Sequence, residues 1–429
     1  MRILPARRIN GRVAVPGDKS ISHRTALVAA LAEGSSRVDN FATSKDCQST
    51  LQCLKKLGVR IAHDKDSLYI EGSGLIGLRT PTAQLDVGNS GSTIRMLSGI
   101  LAGQPFTTEI TGDASICRRP MRRIVTPLRQ MGAQIEVTNS EFAPLRITGG
   151  RLTPINYELP VASAQVKSCI LFAGLFAEGQ TTVCEPAVTR DHTEIMLREF
   201  GAEITCVGHS ITVTGWPRLQ AQHYHVPGDI SSAAFLLAAT LMLPDSQIVI
   251  NNVGINPTRS AIIDLVKSLG ADVQISEPYI EHGEPIANLQ VRHAELCSNT
   301  ETARLQGDVI ANLIDEIPII AVLATQVKNG LTIRDATELR VKESDRIRTV
   351  VDNLRAMGAE VEEYPDGLAV AGPQQLHGAH IDAAGDHRIA MAFAIAGLVA
   401  KGETEITGSE SVEISFPGFF ETLANIVER

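Results

Sequence analysis

The sequence predicts an α/β protein assembled from six related segments in two sets of three, and three observations predict it. A polar, Gly-, Ser- or Asp-containing head, followed by an apolar helix-like body, a Gly-containing stop and a strand, occurs six times. An amphipathic helix that ends in Gly and turns at once into a strand recurs between the heads. The fourth head, Val226-Pro227-Gly228-Asp229, nearly copies the first, Val15-Pro16-Gly17-Asp18, and so divides the six into three and three. The heads are spaced by roughly 65 to 90 residues, longer than the ~20–50 of a solenoid repeat.

The first head, Pro16-Gly17-Asp18-Lys19-Ser20-Ile21-Ser22-His23-Arg24, follows the alternating run Arg12-Val13-Ala14-Val15 and leads into Thr25–Ala32. Pro and Gly break the strand, and Asp or Ser caps the helix. A lysine, an arginine and two hydroxyls thus stand at a helix N-terminus, where free N–H groups and the helix dipole favour an anion. The second head, Gly88-Asn89-Ser90-Gly91-Ser92-Thr93, is a small-residue turn that lets an anion approach the backbone. The third, Ala162-Ser163-Ala164-Gln165-Val166-Lys167, offers hydroxyl and amide donors or simply a helix cap. The fourth, Pro227-Gly228-Asp229-Ile230-Ser231-Ser232, has lost the lysine and arginine. The fifth, Asp315-Glu316-Ile317-Pro318, sets adjacent carboxylates at a helix start. It reads either as a cap with an exposed Glu or as a general base. The sixth, Gly385-Asp386-His387-Arg388, opens a wholly apolar helix, where an arginine is expected to meet an anion or a carboxylate.

Between the heads, Leu54-Lys55-Lys56-Leu57-Gly58, Leu128-Arg129-Gln130-Met131-Gly132, Leu197-Arg198-Glu199-Phe200-Gly201, Val266-Lys267-Ser268-Leu269-Gly270 and Leu354-Arg355-Ala356-Met357-Gly358 repeat the helix-Gly-strand pattern. The expected domains are 17–226 and 227–429, the second taking the N-terminal strand of residues 1–16. Two further stretches carry charge. Arg118-Arg119-Pro120-Met121 is either a surface loop or an anion clamp. Glu338–Ile347, if helical, places Lys342 and Arg346 on one face beside Glu343; such stretches are usually solvated, salt-bridged faces.

The chain has 429 residues, 44% hydrophobic and 20% charged, with net charge −9. That is an ordinary globular composition, and the acidity disfavours a nucleic-acid partner. Basic residues nonetheless gather at the heads, which suits small anionic substrates. Seven scattered cysteines without a C-x-x-C pair read as reduced thiols of a cytoplasmic protein rather than a disulfide framework or zinc site. The N-terminus lacks the apolar run of a signal peptide, and the longest apolar bodies are too short to span a bilayer. Neither the P-loop pattern nor G-x-G-x-x-G is present.

Taken together, Pro-Gly-Asp-Lys19-Ser20-Ile-Ser-His-Arg24, Gly-Asn89-Ser-Gly91-Ser-Thr, Arg119-Pro-Met, Ser163-Ala164-Gln165, Asp315-Glu, Arg-Val-Lys342-Glu343-Ser-Asp-Arg346 and Asp386-His-Arg388 resemble the 5-enolpyruvylshikimate-3-phosphate synthase family, in the family's order, from about residue 10 to about 420. The resemblance implies the enolpyruvyl transferase fold. This is an inside-out α/β barrel of two similar domains, each of three βαβαββ units with helices inside and sheets outside. Helix N-termini would point toward an interdomain cleft, with crossings near Pro16-Gly17 and Pro227-Gly228. It implies a cytoplasmic monomer that uses phosphoenolpyruvate and shikimate 3-phosphate, with no metal, no cofactor and no membrane partner.

The implied reaction moves the enolpyruvyl group to the 5-hydroxyl of shikimate 3-phosphate and releases phosphate, by addition and elimination. The resemblance makes Asp315 the base at the hydroxyl, Glu343 the proton donor to the methylene, and Lys19 a neighbour of both substrates. Arg119, Arg346 and Arg388 would clamp phosphoenolpyruvate, with Gly91 and Gln165 beside them. Lys19, Ser20, Arg24, Ser163, Ala164, Gln165, Asp315 and Lys342 would surround shikimate 3-phosphate. The chain departs from many members at Ala164, Glu338 and Ile414. Ala164 removes one phosphate hydroxyl, and Arg190 in Thr189-Arg190-Asp191-His192 is expected to replace it. Gly91, in place of Ala, implies sensitivity to glyphosate. The sister enzyme, UDP-N-acetylglucosamine enolpyruvyl transferase, carries a reactive Cys near the equivalent of Arg119; Cys117 lies closer and reads as incidental. An RNA-end-binding protein and a non-catalytic scaffold are the remaining alternatives.

Overall fold

The structure is a computed structural model that describes residues 1–64, 67–297 and 303–429. Two compact units, each with its own apolar core, make up the chain. The N-terminal unit comprises Gly17–Val226 with Ile280–Glu284, and the C-terminal unit Met1–Pro16, Pro227–Tyr279 and Pro285–Arg429. The main crossings fall between Pro16 and Gly17 and between Val226 and Pro227. In addition, the tip of the hairpin of Asp272–Glu281 and Glu284–Arg292 groups with the N-terminal unit.

Within the N-terminal unit, the described strands form three four-stranded sheets of one pattern. Asn156–Glu158 runs parallel to Gln180–Cys184, which is antiparallel to Ser210–Thr214, itself antiparallel to Ile204–Val207. The sheet of Leu85–Asp86, Thr107–Thr111, Phe142–Thr148 and Gln134–Thr138 repeats this order. Parallel neighbours need a crossover connection, and in both sheets it is the apolar helix after a head. The remaining sheet takes its parallel strand from His223–His225, which pairs with Glu33–Asp39, so the end of the unit completes its first repeat. The C-terminal unit uses the N-terminus in the same way. Arg8–Ala14 lies parallel to Gln247–Gly254, and Arg2–Ile3 joins the sheet of Thr404–Thr407 and His380–Asp382.

The six helices that follow the heads are Lys19–Leu31, Gly91–Ala102, Ala164–Gly174, Ile230–Met242, Ile317–Ala324 and His387–Val399. They are the centre of each unit because beyond their polar first turns they are buried on nearly every face; every residue of Ile230–Met242 is buried. Strands such as Phe142–Thr148 alternate buried and exposed positions, as an outer layer should. Helix backs approach closely: a Cβ at Gly99 would stand 2.1 Å from the Cys169 carbonyl oxygen, so only glycine fits this crossing. The amphipathic helices bury one face and end in left-handed glycine, as at Gly58 (φ 89°) and Gly201 (φ 99°).

The condition placed on Glu338–Ile347, that it be helical, is not met. Residues 338–347 do not form a single helix. Thr337–Val341 is a 3₁₀ turn, Lys342 is extended, and the α-helix begins only at Arg346. Asp345 sets that start, its carboxylate accepting the Arg348 N–H at 3.1 Å. Lys342 and Arg346 therefore do not share a helix face.

Candidate active site

Five of the six central helices begin at a side-chain cap, since Asp18, Ser90, Ser163, Asp229 and Asp386 each accept a backbone N–H of the first turn. The helix of Ile317–Ala324 instead starts at Glu316, without a side-chain cap and with Pro318 in its first turn. Lys19, Ser20, Gly91, Gln165, Asp315 and Arg388 stand at these helix starts, while Arg119, Arg190, Glu343 and Arg346 come from the loop after a 3₁₀ turn or from the starts of the amphipathic helices His192–Glu199 and Arg346–Ala356; they form two clusters, one per unit.

The N-terminal cluster is cationic. Lys19, at the head of its helix, has Nζ 2.9 Å from Asp46 Oδ2. Arg95, one turn into the second helix, donates from Nη1 to Gln165 Oε1 at 2.6 Å, and Gln165 Nε2 donates to Ser92 Oγ at 3.1 Å. Arg119, buried, donates from Nη2 to Asn89 Oδ1 and Ser115 Oγ, both at 3.0 Å. A Cβ on Gly91 would lie 2.9 Å from Arg95 Nη1 and 3.2 Å from Arg119 Nη1, so the bare glycine leaves room between two guanidinium groups. Arg190 Nη1 donates to Ser20 Oγ at 3.3 Å. Arg24 is 3% exposed and directs Nε to Thr193 Oγ1, Nη1 to the Ser20 carbonyl and Nη2 to Ser168 Oγ. Ser163 Oγ accepts the Val166 N–H, and Ala164 presents a methyl where a second hydroxyl would stand. Lys19 pairs with Asp46, whereas Arg24, Arg95, Arg119 and Arg190 donate to hydroxyl, amide and carbonyl oxygens, which are neutral acceptors, so the cluster attracts anions.

Behind this cluster runs a buried chain, His23 Nδ1 to Thr50 Oγ1 at 2.7 Å, then Thr50 to Thr93 at 2.6 Å and Thr93 to Ser90 at 2.7 Å. Burial, then the charges of Lys19 and Arg24, hold His23 well below its ordinary pKa of 6.5. His23 is therefore neutral when folded and takes up a proton on unfolding. The contribution of His23 to stability is full above about pH 6.5 and is lost as pH drops below it, by up to about 1.4 kcal/mol per pH unit. His23→Gln should flatten the acid limb of stability against pH; an unchanged slope in chemical denaturation would contradict this.

The C-terminal cluster is richer in carboxylates. Arg346 is its hub, with a side chain 2% exposed. Its Nε donates to Asp386 Oδ2 at 2.7 Å and its Nη2 to Glu343 Oε2 at 2.6 Å, while Nη1 lies 3.5 Å from Asp315 Oδ1. Burial alone would lower the pKa of Arg346; the charges of Asp386 and Glu343 reverse this and leave it raised. Arg388 donates from Nη1 to the Asp315 carbonyl at 3.0 Å and has Nη2 3.5 Å from Asp315 Oδ2. Asp315 and Glu343 keep side-chain exposures of 15% and 18%, whereas Glu316 is 1% exposed and accepts from Ser231 Oγ. The sequence reading of an exposed Glu316 is thus reversed; the reachable carboxylate is Asp315. Two arginines beside two accessible carboxylates can hold an anion and exchange protons next to it.

Residues 3–423 match the family described as EPSP synthase (3-phosphoshikimate 1-carboxyvinyltransferase). The chain belongs to the EPSP synthase family. It is 54% identical to the 3-phosphoshikimate 1-carboxyvinyltransferase of Solibacter usitatus (strain Ellin6076), over 100% of this chain and 99% of that one. It is 50% identical to that of Brevibacillus brevis, over 99% of each. An EPSP synthase structure from Acinetobacter baumannii matches with TM-score 0.88 and 42% identity, covering 99% of this chain and 98% of that one. The two units of three repeats are thus the fold of EPSP synthases, as the resemblance implied.

Of the residues read from the sequence, Lys19, Ser20, Arg24, Gly91, Arg119, Ser163, Ala164, Gln165 and Arg190 lie in the N-terminal unit. Asp315, Lys342, Glu343, Arg346 and Arg388 lie in the C-terminal one. Lys342 is half-buried in the extended segment before Arg346, and Glu338 and Ile414 are half-buried in 3₁₀ turns. Sequence reading missed Arg95, Asp46 and the partnership of Asp386 with Arg346. A cation one turn into an apolar helix is the signal that marks Arg95; nothing local marks Asp46. Cys117, the residue that raised the sister-enzyme alternative, donates to the Gly112 carbonyl at 3.5 Å, an interaction within its own turn. Among the described residues, no helix is long and apolar enough to cross a membrane and no His, Cys, Asp or Glu group could hold a metal ion.

Proposed function

We propose that the two clusters serve one reaction, with Asp315, Glu343 and Lys19 as its catalytic groups. The overall chemistry is that of the family: the enolpyruvyl group of phosphoenolpyruvate passes to the 5-hydroxyl of shikimate 3-phosphate, and phosphate leaves. The observation that carries the assignment is the pairing of accessible Asp315 and Glu343 with the buried forks of Arg346 and Arg388.

In the addition step, Asp315 takes the proton of the 5-hydroxyl as its oxygen attacks C2 of phosphoenolpyruvate, and Glu343 protonates C3. A tetrahedral intermediate results. In the elimination step, Glu343, left as a carboxylate by the addition, takes a proton back from the new methyl group as the C2–O bond to phosphate breaks and phosphate departs. Lys19, with Arg119, Arg346 and Arg388, stabilises charge on the departing phosphate and on the carboxylate. Ser20, Arg24, Ser163, Ala164, Gln165, Arg190, Asp315 and Lys342 line the shikimate 3-phosphate position, and Gly91 and Gln165 border phosphoenolpyruvate. All seven cysteines are free thiols, which supports a reducing cytoplasm. The family resemblance implies a monomer.

Phosphorus NMR of enzyme with both substrates should show free phosphate and one new phosphomonoester growing together. Two starting signals that persist unchanged would exclude the reading. The open space at Gly91 leads to a second expectation. Glyphosate should compete with phosphoenolpyruvate, and Gly91→Ala, whose methyl displaces Arg95, should weaken that inhibition by about tenfold or more. Inhibition curves flat up to millimolar glyphosate would contradict it.

A further inference from the structure

The buried Lys167 is not used by the chemistry above, yet it sits at the base of the third head. It lies one turn past the cap Ser163 and is 1% exposed. Its Nζ meets Glu185 Oε2 at 3.0 Å and Glu194 Oε1 at 2.6 Å, with both carboxylates 3% exposed. It also donates to the Thr189 carbonyl at 3.4 Å. Glu185 in turn accepts the Thr189 N–H at 3.4 Å and the Thr189 hydroxyl. Glu185 is itself anchored through its backbone, its N–H bonding the His209 carbonyl at 2.9 Å and its carbonyl meeting His209 Nδ1 at 3.0 Å. Both ends of the segment 185–189 are therefore pinned to one buried ammonium. The next residue is Arg190, whose guanidinium reaches Ser20 in the first head.

Stability alone does not account for this arrangement. A buried ion pair costs more to desolvate than it returns in many proteins, and apolar residues of similar volume are often as good or better. The cluster also holds one ammonium against two carboxylates, and burial raises the pKa of Glu194 although Lys167 opposes it. What the network does fix is the backbone N–H, carbonyl and hydroxyl of the residue before Arg190.

We propose that Lys167, through Glu185 and Thr189, is a positioning residue that aims Arg190 at the phosphate of the acceptor substrate and so sets the preference for a phosphorylated over an unphosphorylated acceptor. The proposal rests on the assignment of Arg190 to the phosphate and names the residues that make that assignment work. Lys167 acts through Arg190 and touches no substrate. Moving a guanidinium out of hydrogen-bond reach of a phosphate weakens binding by about tenfold or more.

The test measures binding of shikimate 3-phosphate and of shikimate to the full-length enzyme by calorimetry, with KM for phosphoenolpyruvate alongside. Lys167→Met should weaken shikimate 3-phosphate by about tenfold and leave shikimate and the KM for phosphoenolpyruvate within about twofold. In an Arg190→Ala background the same change should add almost nothing. If Lys167→Met does not fold, Thr189→Val, which removes only the hydroxyl to Glu185, should show the same selective loss at smaller size. Equal losses for the two acceptors, or effects that add to those of Arg190→Ala, would make Lys167 a purely structural residue and overturn the proposal. If Arg190→Ala binds shikimate 3-phosphate normally, the assignment of Arg190 fails and the proposal with it. Weakening by Arg190→Ala but not by Lys167→Met or Thr189→Val would refute the positioning role alone.

Discussion

Asp315→Asn is expected to lower kcat by about 10²- to 10⁴-fold while the protein stays folded and still binds phosphoenolpyruvate. The side chain keeps its shape but can no longer accept the hydroxyl proton. The fold tolerates the change because Asp315 is the outermost carboxylate around Arg346, at 3.5 Å, whereas Asp386 and Glu343 lie at 2.7 and 2.6 Å. Arg388 is retained by the Asp315 carbonyl, which the substitution does not alter. Removing one negative charge beside two arginines also favours an incoming anion, so KM for phosphoenolpyruvate should stay level or fall. Steady-state kinetics with a thermal melt measure all three quantities. A kcat within about tenfold of the parent would remove Asp315 from the chemistry.

Arg346→Met is expected to damage both activity and stability. The guanidinium is buried and holds three carboxylates, of which Asp386 is 0% exposed at its side chain. Removing the cation leaves buried carboxylates uncompensated, which costs roughly 3–5 kcal/mol. In a unit of this size that corresponds to a melting point lower by roughly 10 °C. KM for phosphoenolpyruvate should rise by about 10²-fold or more, since the guanidinium fork can no longer grip the anion. Arg346→Lys should recover little, because one ammonium cannot fork to Asp386, Glu343 and Asp315 together. Adding Asp386→Asn to Arg346→Met should return part of the stability and none of the activity. A melting point unchanged in Arg346→Met would show that the network does not hold this region.

The repeats were legible because they are written in local signals. An apolar body behind a polar head can only be a central helix, and Leu57-Gly58 or Phe200-Gly201 can only end one. The strand supplied by His223–His225 to the first sheet was not legible, since its partner lies at Glu33–Asp39, far away in sequence. In the site, residues that stand in the heads were legible, and their partners were not. Lys19 was found and Asp46 was not; Arg346 was found and its hold on Asp386 was not. Whether Glu338–Ile347 is one helix was left open by the sequence, because Asp345 caps a helix in the middle of a charged run, and charge spacing carries no mark of where a helix begins. Glu316 and Asp315 are adjacent and chemically alike. Only packing against Ser231 and the apolar helix that follows decides which one is buried.

The central claim is tested most directly by phosphate release from phosphoenolpyruvate with shikimate 3-phosphate or UDP-N-acetylglucosamine as acceptor. Release is expected with shikimate 3-phosphate and none with the nucleotide sugar. Release with the nucleotide sugar alone, or silence with both, would contradict it.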